Sequence, residues 1–285
     1  MCNNKPLFPG VIFALFFFLT GFAQAGAEPL QIKQGAFARI VVTPGPGASS
    51  VAGRLKGRTI PYFEIEKGVF AALVGIDMDQ PVGTLPFLTT WKLDGKTVTR
   101  EHVIDVRAAK FGVQKLTLPK KKVDLDPPTL KRVRREKALM RVAFETSVPE
   151  KLWEGAFIAP VKGRRQGTFG RRRIINGQPR RAHTGEDISA PTGTPIVAPN
   201  HGRVVLVDDF FFNGVSVVID HGLGLFSMYF HLSAVDVQVG DVVQTGRQIG
   251  RVGKSGRVTG PHLHWGMRLN NAKIDPYTLV GAKLD

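Results

Sequence analysis

The sequence predicts a mainly β protein built as two units with one short helical connector between them. Three observations point there. At 285 residues the chain is long for one domain and suits two. With 32 glycines and 19 prolines it is rich in turns, which favours strands over helix bundles. Apolar residues alternate along short runs, and only one stretch carries helix signals.

Residues 1–27 read as a secretory signal peptide, not as part of the fold. Lys5 and the amino terminus supply a short positive region, and residues 11–22 are nearly all apolar. Ala23-Gln24-Ala25 or Ala25-Gly26-Ala27 offers a small-x-small cleavage site. The run is shorter than the roughly 20 residues of a spanning helix, so no transmembrane span is expected after cleavage. The single cysteine, Cys2, leaves with this segment. The mature chain would then have no disulfide, thiolate ligand or cysteine nucleophile. An exported chain of this kind is compatible with a bacterial periplasm.

Residues 28–110 carry strand and turn signals. Phe37 to Val42 is apolar and β-rich, and Thr43-Pro44-Gly45 breaks it. Leu85, Phe87, Thr89 and Trp91 alternate as in a half-buried strand, Asp94-Gly95 signals a hairpin, and residues 98–106 return. A small β-sandwich is expected. No cluster here is chemical, and His102 is read as structural.

Residues 111–150 form the connector. Asp126-Pro127-Pro128-Thr129 reads as a helix start, with Leu130, Val133, Met140 and Phe144 roughly on one face, and Pro149 as the stop. Residues 151–285 return to strands, predicted at 195–199, 202–207, 215–220, 226–231, 237–240 and 248–252, with glycine at nearly every join.

The net charge of +16 is uneven: 20 basic and 6 acidic residues lie between Lys110 and Arg181. An exported protein does not ordinarily meet chromosomal DNA, so no nucleic-acid partner is expected. Cell-wall polymers, carboxylate-bearing peptides and anionic headgroups are the polyanions in reach, and a solvated basic face is the plain alternative.

The chemistry concentrates at Gly260-Pro261-His262-Leu263-His264-Trp265. On an extended strand His262 and His264 present two imidazoles to one face. One can bind a metal while the other handles a proton, and spacing alone leaves open which. A second half-site is His183-Thr184-Gly185-Glu186-Asp187. Gly185 and the nearby Pro191 argue against a helix there, and the even spacing returns His183 and Asp187 to one side. The odd spacing turns Glu186 away. His231 stands in Tyr229-Phe230-His231-Leu232-Ser233. Imidazole nitrogen and carboxylate oxygen both suit zinc, and three protein ligands plus water is the pattern of a catalytic site. The remaining histidines can then accept a proton from water and stabilise an oxyanion. No His-Glu-x-x-His helix is present. His201 and His221 sit beside turns and are read as structural, and the Phe210–Phe212 run as packing.

The order of these motifs over residues 155–276 resembles the lysostaphin/LytM-type zinc peptidoglycan endopeptidases. The matching elements include Thr168-Phe169-Gly170, His183-Thr184-Gly185-x-Asp187, Ala190-Pro191-x-Gly193-Thr194-Pro195, Tyr229-x-His231-Leu232-Ser233 and Pro261-His262-Leu263-His264-Trp265. The resemblance implies a LytM-like all-β metallopeptidase domain. It implies one Zn2+ per chain, held by His183, Asp187 and His264. It further implies His231 and His262 as unliganded catalytic histidines. The implied partner is a peptidoglycan stem peptide, with a D-alanyl–diaminopimelate cross-bridge as the expected bond in a periplasmic setting. The N-terminal unit more weakly resembles Ig-like modules that precede some members. Glu186 departs from an apolar position, and Trp265-Gly266 from the commoner Phe-Glu. Related domains that have lost zinc ligands bind and activate wall amidases, the alternative function; whether a regulatory protein partner exists is left open. Finally, Arg164, Arg165, Arg171, Arg172, Arg173, Arg180 and Arg181 crowd ahead of His183, with Asn176-Gly177 as a hairpin turn. A basic two-stranded flap beside the metal is expected, steering peptide carboxylates through guanidinium forks.

Overall fold

A computed structural model describes residues 28–120 and 123–285. The signal-peptide reading of residues 1–27, and Lys121 and Lys122 of the connector, lie outside the described residues.

The first unit holds eight strands: β1 (Leu30–Lys33), β2 (Phe37–Val42), β3 (Ser49–Leu55), β4 (Arg58–Pro61), β5 (Phe63–Glu66), β6 (Val69–Gly75), β7 (Gly83–Leu93) and β8 (Lys96–Arg107). They form a five-stranded sheet, ordered β1-β8-β7-β3-β4, and a three-stranded sheet, ordered β2-β6-β5. Ile40 and Val74 of the smaller sheet share one buried cluster with Ile60, Leu85, Phe87 and Ile104 of the larger. The alternation along β7 holds: Leu85, Phe87, Thr89 and Trp91 are all buried. Asp94 and Gly95 both take positive φ, as the tight turn joining β7 to β8 requires.

The connector contains β9 (Val113–Leu116), a strand the sequence reading missed, and α1 (Pro127–Glu145). The Asp126 side chain accepts from Thr129 N at 2.8 Å, and Pro127 fills the first turn, where its missing N–H costs nothing. The buried face of α1 runs through Val133, Glu136 and Ala143. Leu130, expected on that face, is 41% exposed because it lies in the first turn, before the helix reaches the sheet.

The second unit holds β10 (Arg164–Arg165), β11 (Arg172–Ile175), β12 (Gln178–Arg180), β13 (Gly185–Ser189), β14 (Pro195–Val197), β15 (Gly202–Phe210), β16 (Gly214–Asp220), β17 (Leu225–Val235), β18 (Val242–Val243), β19 (Gln248–Val252), β20 (Leu263–Leu269) and β21 (Ala272–Ile274). Ten of them make one sheet whose main path is β10-β13-β20-β17-β16-β15-β18. One face carries the larger core, with Trp265, Tyr229, Leu263, Ile188 and Ile219 fully buried. The opposite face is covered by α1, which packs Ala143, Met140 and Phe144 on Phe226, Met228 and Phe210. The strand expected at 237–240 does not form. Gly240 turns the chain at φ 96°, Asp241 N bonds back to Gln238 O, and pairing resumes only at β18.

The two units touch along the β20–β21 turn. Gly75 approaches so closely that an added Cβ would lie 2.6 Å from Leu269 O, and Asn270 Nδ2 donates to Leu73 O at 2.8 Å. Strand β9 pairs in parallel with β11, so the connector forms a three-stranded sheet with the β11–β12 hairpin.

Candidate metal centre

Neighbouring strands β13 and β20 set the centre. They pair antiparallel with Asp187 opposite His264, so a carboxylate and an imidazole leave the same face side by side. His183 sits in the loop just before β13. Its N–H donates to Arg171 O and its carbonyl accepts from Gly170 N, which folds the ring back over the strand pair. Gly185 beneath it is required by space, since a Cβ there would meet His264 Nε2 at 2.6 Å.

Three donor atoms converge as a result. His183 Nε2 and His264 Nδ1 each lie 3.0 Å from Asp187 Oδ1, and 2.6 Å from one another. All three residues are buried, and together they could hold a metal ion. Burial pushes the His183 imidazole down to about 3, so it is neutral at ordinary pH, the form that coordinates. Burial alone would raise Asp187, but hydrogen bonds from His183 and His264 outweigh it and hold the carboxyl below its usual range. Arg173 Nη2 lies 2.8 Å from His183 Nδ1. A guanidinium has only donors, so Nδ1 accepts and the ring proton sits on Nε2, facing Asp187. A divalent ion between the three atoms would take the place of that proton, as metal binding to imidazole generally does. The donor set of two imidazoles and one carboxylate suits zinc.

His231 and His262 flank this cluster. Their rings are 5.0 Å apart, and His262 Nε2 lies 3.7 Å from Asp187 Oδ1. His231 has φ 69°, uncommon for a residue with a side chain. The kink falls where β17 leaves its pairing with β20 at Phe230, and His231 N then bonds to Asn213 O. His231 Nδ1 is 2.9 Å from Ser255 O, and His262 Nδ1 is 2.9 Å from Gly260 O. A carbonyl only accepts, so each Nδ1 carries a proton, which in a neutral ring leaves Nε2 as the acceptor. Burial lowers the His231 imidazole to about 3.

The structure thus brings together all five residues singled out by sequence. It leaves His102, His201 and His221 elsewhere. His221 is wholly buried, between His201 O at 2.6 Å and Ser227 Oγ at 2.7 Å. Phe210 packs under α1, whereas Phe212 lies beneath the Arg257 guanidinium.

Sequence reasoning overlooked the supports. Glu186 does point away from the cluster, but it is fully buried and accepts from Gln166 N, Thr168 N and Phe169 N at 3.0–3.3 Å. Thr168 in turn accepts from Asp187 N through its hydroxyl at 2.8 Å. Glu186 therefore fixes the loop that fixes the Asp187 backbone. The available signal was an acid standing where the family resemblance expects an apolar residue. The flap is present as the β11–β12 hairpin, with Asn176 and Gly177 at positive φ. Arg164 and Arg165 do not belong to it, because they pair with β13 as strand β10.

Comparison with known proteins agrees with this geometry. Residues 181–276 match peptidase family M23. A solved peptidase M23 structure from Pseudomonas aeruginosa superposes with a TM-score of 0.69 at 30% identity, covering 90% of this chain and 96% of that one. The chain belongs to the M23 peptidases. Among characterised sequences it is 43% identical over 83 residues to the peptidoglycan DD-endopeptidase ShyA of Vibrio cholerae, covering 29% of this chain and 19% of that protein. It is 40% identical over 100 residues to the DD-carboxypeptidase/endopeptidase Mpg of Neisseria meningitidis, covering 35% of this chain and 23% of that one. The matches thus span less than a third of those relatives' length.

Proposed function

We propose that the protein is a zinc metalloendopeptidase that hydrolyses peptide cross-bridges of peptidoglycan outside the cytoplasm, in the periplasm. The observation that carries this reading is the convergence of His183 Nε2, Asp187 Oδ1 and His264 Nδ1 beside two further histidines whose Nδ1 atoms each face a backbone carbonyl. The DD-endopeptidase relatives favour the D-alanyl–diaminopimelate bond as substrate. The division of the chain at residues 28–110, 111–150 and 151–285 belongs to the same proposal.

His183, Asp187 and His264 are the ligands in this reading. A zinc ion held by them would acidify a water and polarise the scissile carbonyl. The rest is the work of side chains. Either Nε2, of His231 or of His262, accepts the proton of the attacking water, and the imidazolium so formed donates to the oxyanion or the leaving amine. Ser255 O and Gly260 O keep both rings in the required tautomer. Arg173 of the flap lies 2.8 Å from His183 Nδ1, and the flap arginines would favour acidic stem peptides. The alternative, a regulator of wall amidases, is disfavoured because the full ligand set is present. Purified wall digested with the mature protein should release fragments whose masses locate the cut at the cross-bridge. Intact wall after incubation with fully zinc-loaded protein would favour the regulator.

A further inference from the structure

A cleft of about 660 Å³ lies where β4, the last turn of α1 and the β20–β21 turn meet. It is a different place from the metal centre. Arg268 is four residues past His264 on β20, on the same face and roughly 13 Å along the strand. Three guanidinium groups line the cleft, from Arg58, Arg141 and Arg268, against one carboxylate, Glu145. That carboxylate is 3.8 Å from Arg141 in an exposed pairing along the helix, a weak contact.

Among the described residues Arg268 has no acidic partner within ion-pair distance. Its Cζ lies 4.3 Å over the Phe144 ring, its Nη1 donates to Asn271 Oδ1 at 2.8 Å, and its buried Nε has no hydrogen-bond partner among the described residues. Arg58 spends one weak bond on Asn270 O at 3.4 Å. Burial lowers the Arg268 guanidinium, Asp77 offsets part of that, and Arg58 adds to it. A partly buried cation beside two others is costly unless an anion joins it. Phe144, Phe226 and Ile60 supply apolar wall, and Asn270 and Asn271 supply amides. Guanidinium forks, apolar wall and amides together match a peptide bearing free carboxylates better than a bare inorganic anion.

We infer that this cleft is a second binding site, taking the carboxylate groups of an acidic peptide at the junction of the two units. The choice of a wall-type peptide as ligand rests on the proposed substrate. The carboxylate chemistry rests on the cleft alone.

The test is calorimetric titration of the full mature chain, zinc-loaded and chelator-stripped, with N-acetyl-L-alanyl-D-glutamate, its diamide and inorganic phosphate. The dicarboxylate should bind with and without zinc, at least tenfold more tightly than the diamide. Arg58→Gln and Arg141→Gln, both exposed and outside the metal centre, should each weaken it about fivefold. Arg268→Gln should weaken it more, with zinc content unchanged. Equal affinity in all three variants, or binding that disappears with zinc, overturns the proposal. Phosphate displacing the peptide with equal affinity overturns the peptide assignment. Wall digestion is measured separately, so a chain that binds the peptide but cuts nothing refutes the activity and leaves the cleft standing.

Discussion

The two β units are similar in construction and opposite in what they bury. Among the described residues the first buries one polar side chain, Thr89, whose hydroxyl is satisfied 2.7 Å from Tyr62. The second buries His183, Glu186, Asp187, Asp220, His221, His231 and His264, among others. Burying a titratable group is expensive unless it is fully bonded. The first unit has no cluster of buried titratable residues among those described, although Trp91 Nε1 and His102 Nε2 are buried there without a hydrogen-bond partner. The second buries titratable groups in two places for different reasons. At His221 and Asp220 the polar groups are satisfied by fixed partners and hold loops together. At the metal centre three donor atoms converge so that together they could hold a metal ion. Buried polarity alone therefore does not mark a site. Convergence of donor atoms does.

Five substitutions sharpen or break this contrast. The largest effect is expected for His264→Ala, which should lose bound zinc and activity together, as elemental analysis and wall digestion would register. Full zinc occupancy in that variant would remove His264 from the ligand set. Next, His231→Ala and His262→Ala should keep zinc while turnover falls about 10²–10⁴-fold. Near-normal cleavage by both would reduce them to packing residues. In the first unit Phe87→Ala should cost about 3–5 kcal/mol in denaturant unfolding, because a fully buried ring leaves a cavity, with zinc affinity unchanged. Zinc loss there would mean the units are not energetically separate. The smallest effect is expected for Glu186→Gln, which keeps the shape and one acceptor oxygen but weakens the clamp on residues 166–169. It should lower stability by about 1–3 kcal/mol and loosen zinc binding, while the wild-type fold signature remains. Unchanged zinc affinity would make Glu186 a purely structural acid.

Much of this was legible from the chain. Period-two alternation found β7, and Asp94-Gly95 found its hairpin, because both are local signals. The five histidine and aspartate positions could be read because strand alternation carries i and i+2 to one face, and motif order supplied the rest. What stayed hidden depended on pairing between distant residues. Strand β9 has no strong pattern of its own and exists because β11 offers it an edge. Glu186 and Thr168 are 18 residues apart and meet only once the sheet closes. The 237–240 stretch reads as a strand by composition, but Gly240 spends its N–H on Val204 O and turns away.

The pairing of β9 with β11 makes the hairpin beside His183 a shared possession of both units. Its far edge is zipped to the segment that leaves the first unit, so raising the hairpin away from His183 means either unzipping four residue pairs or dragging that segment along.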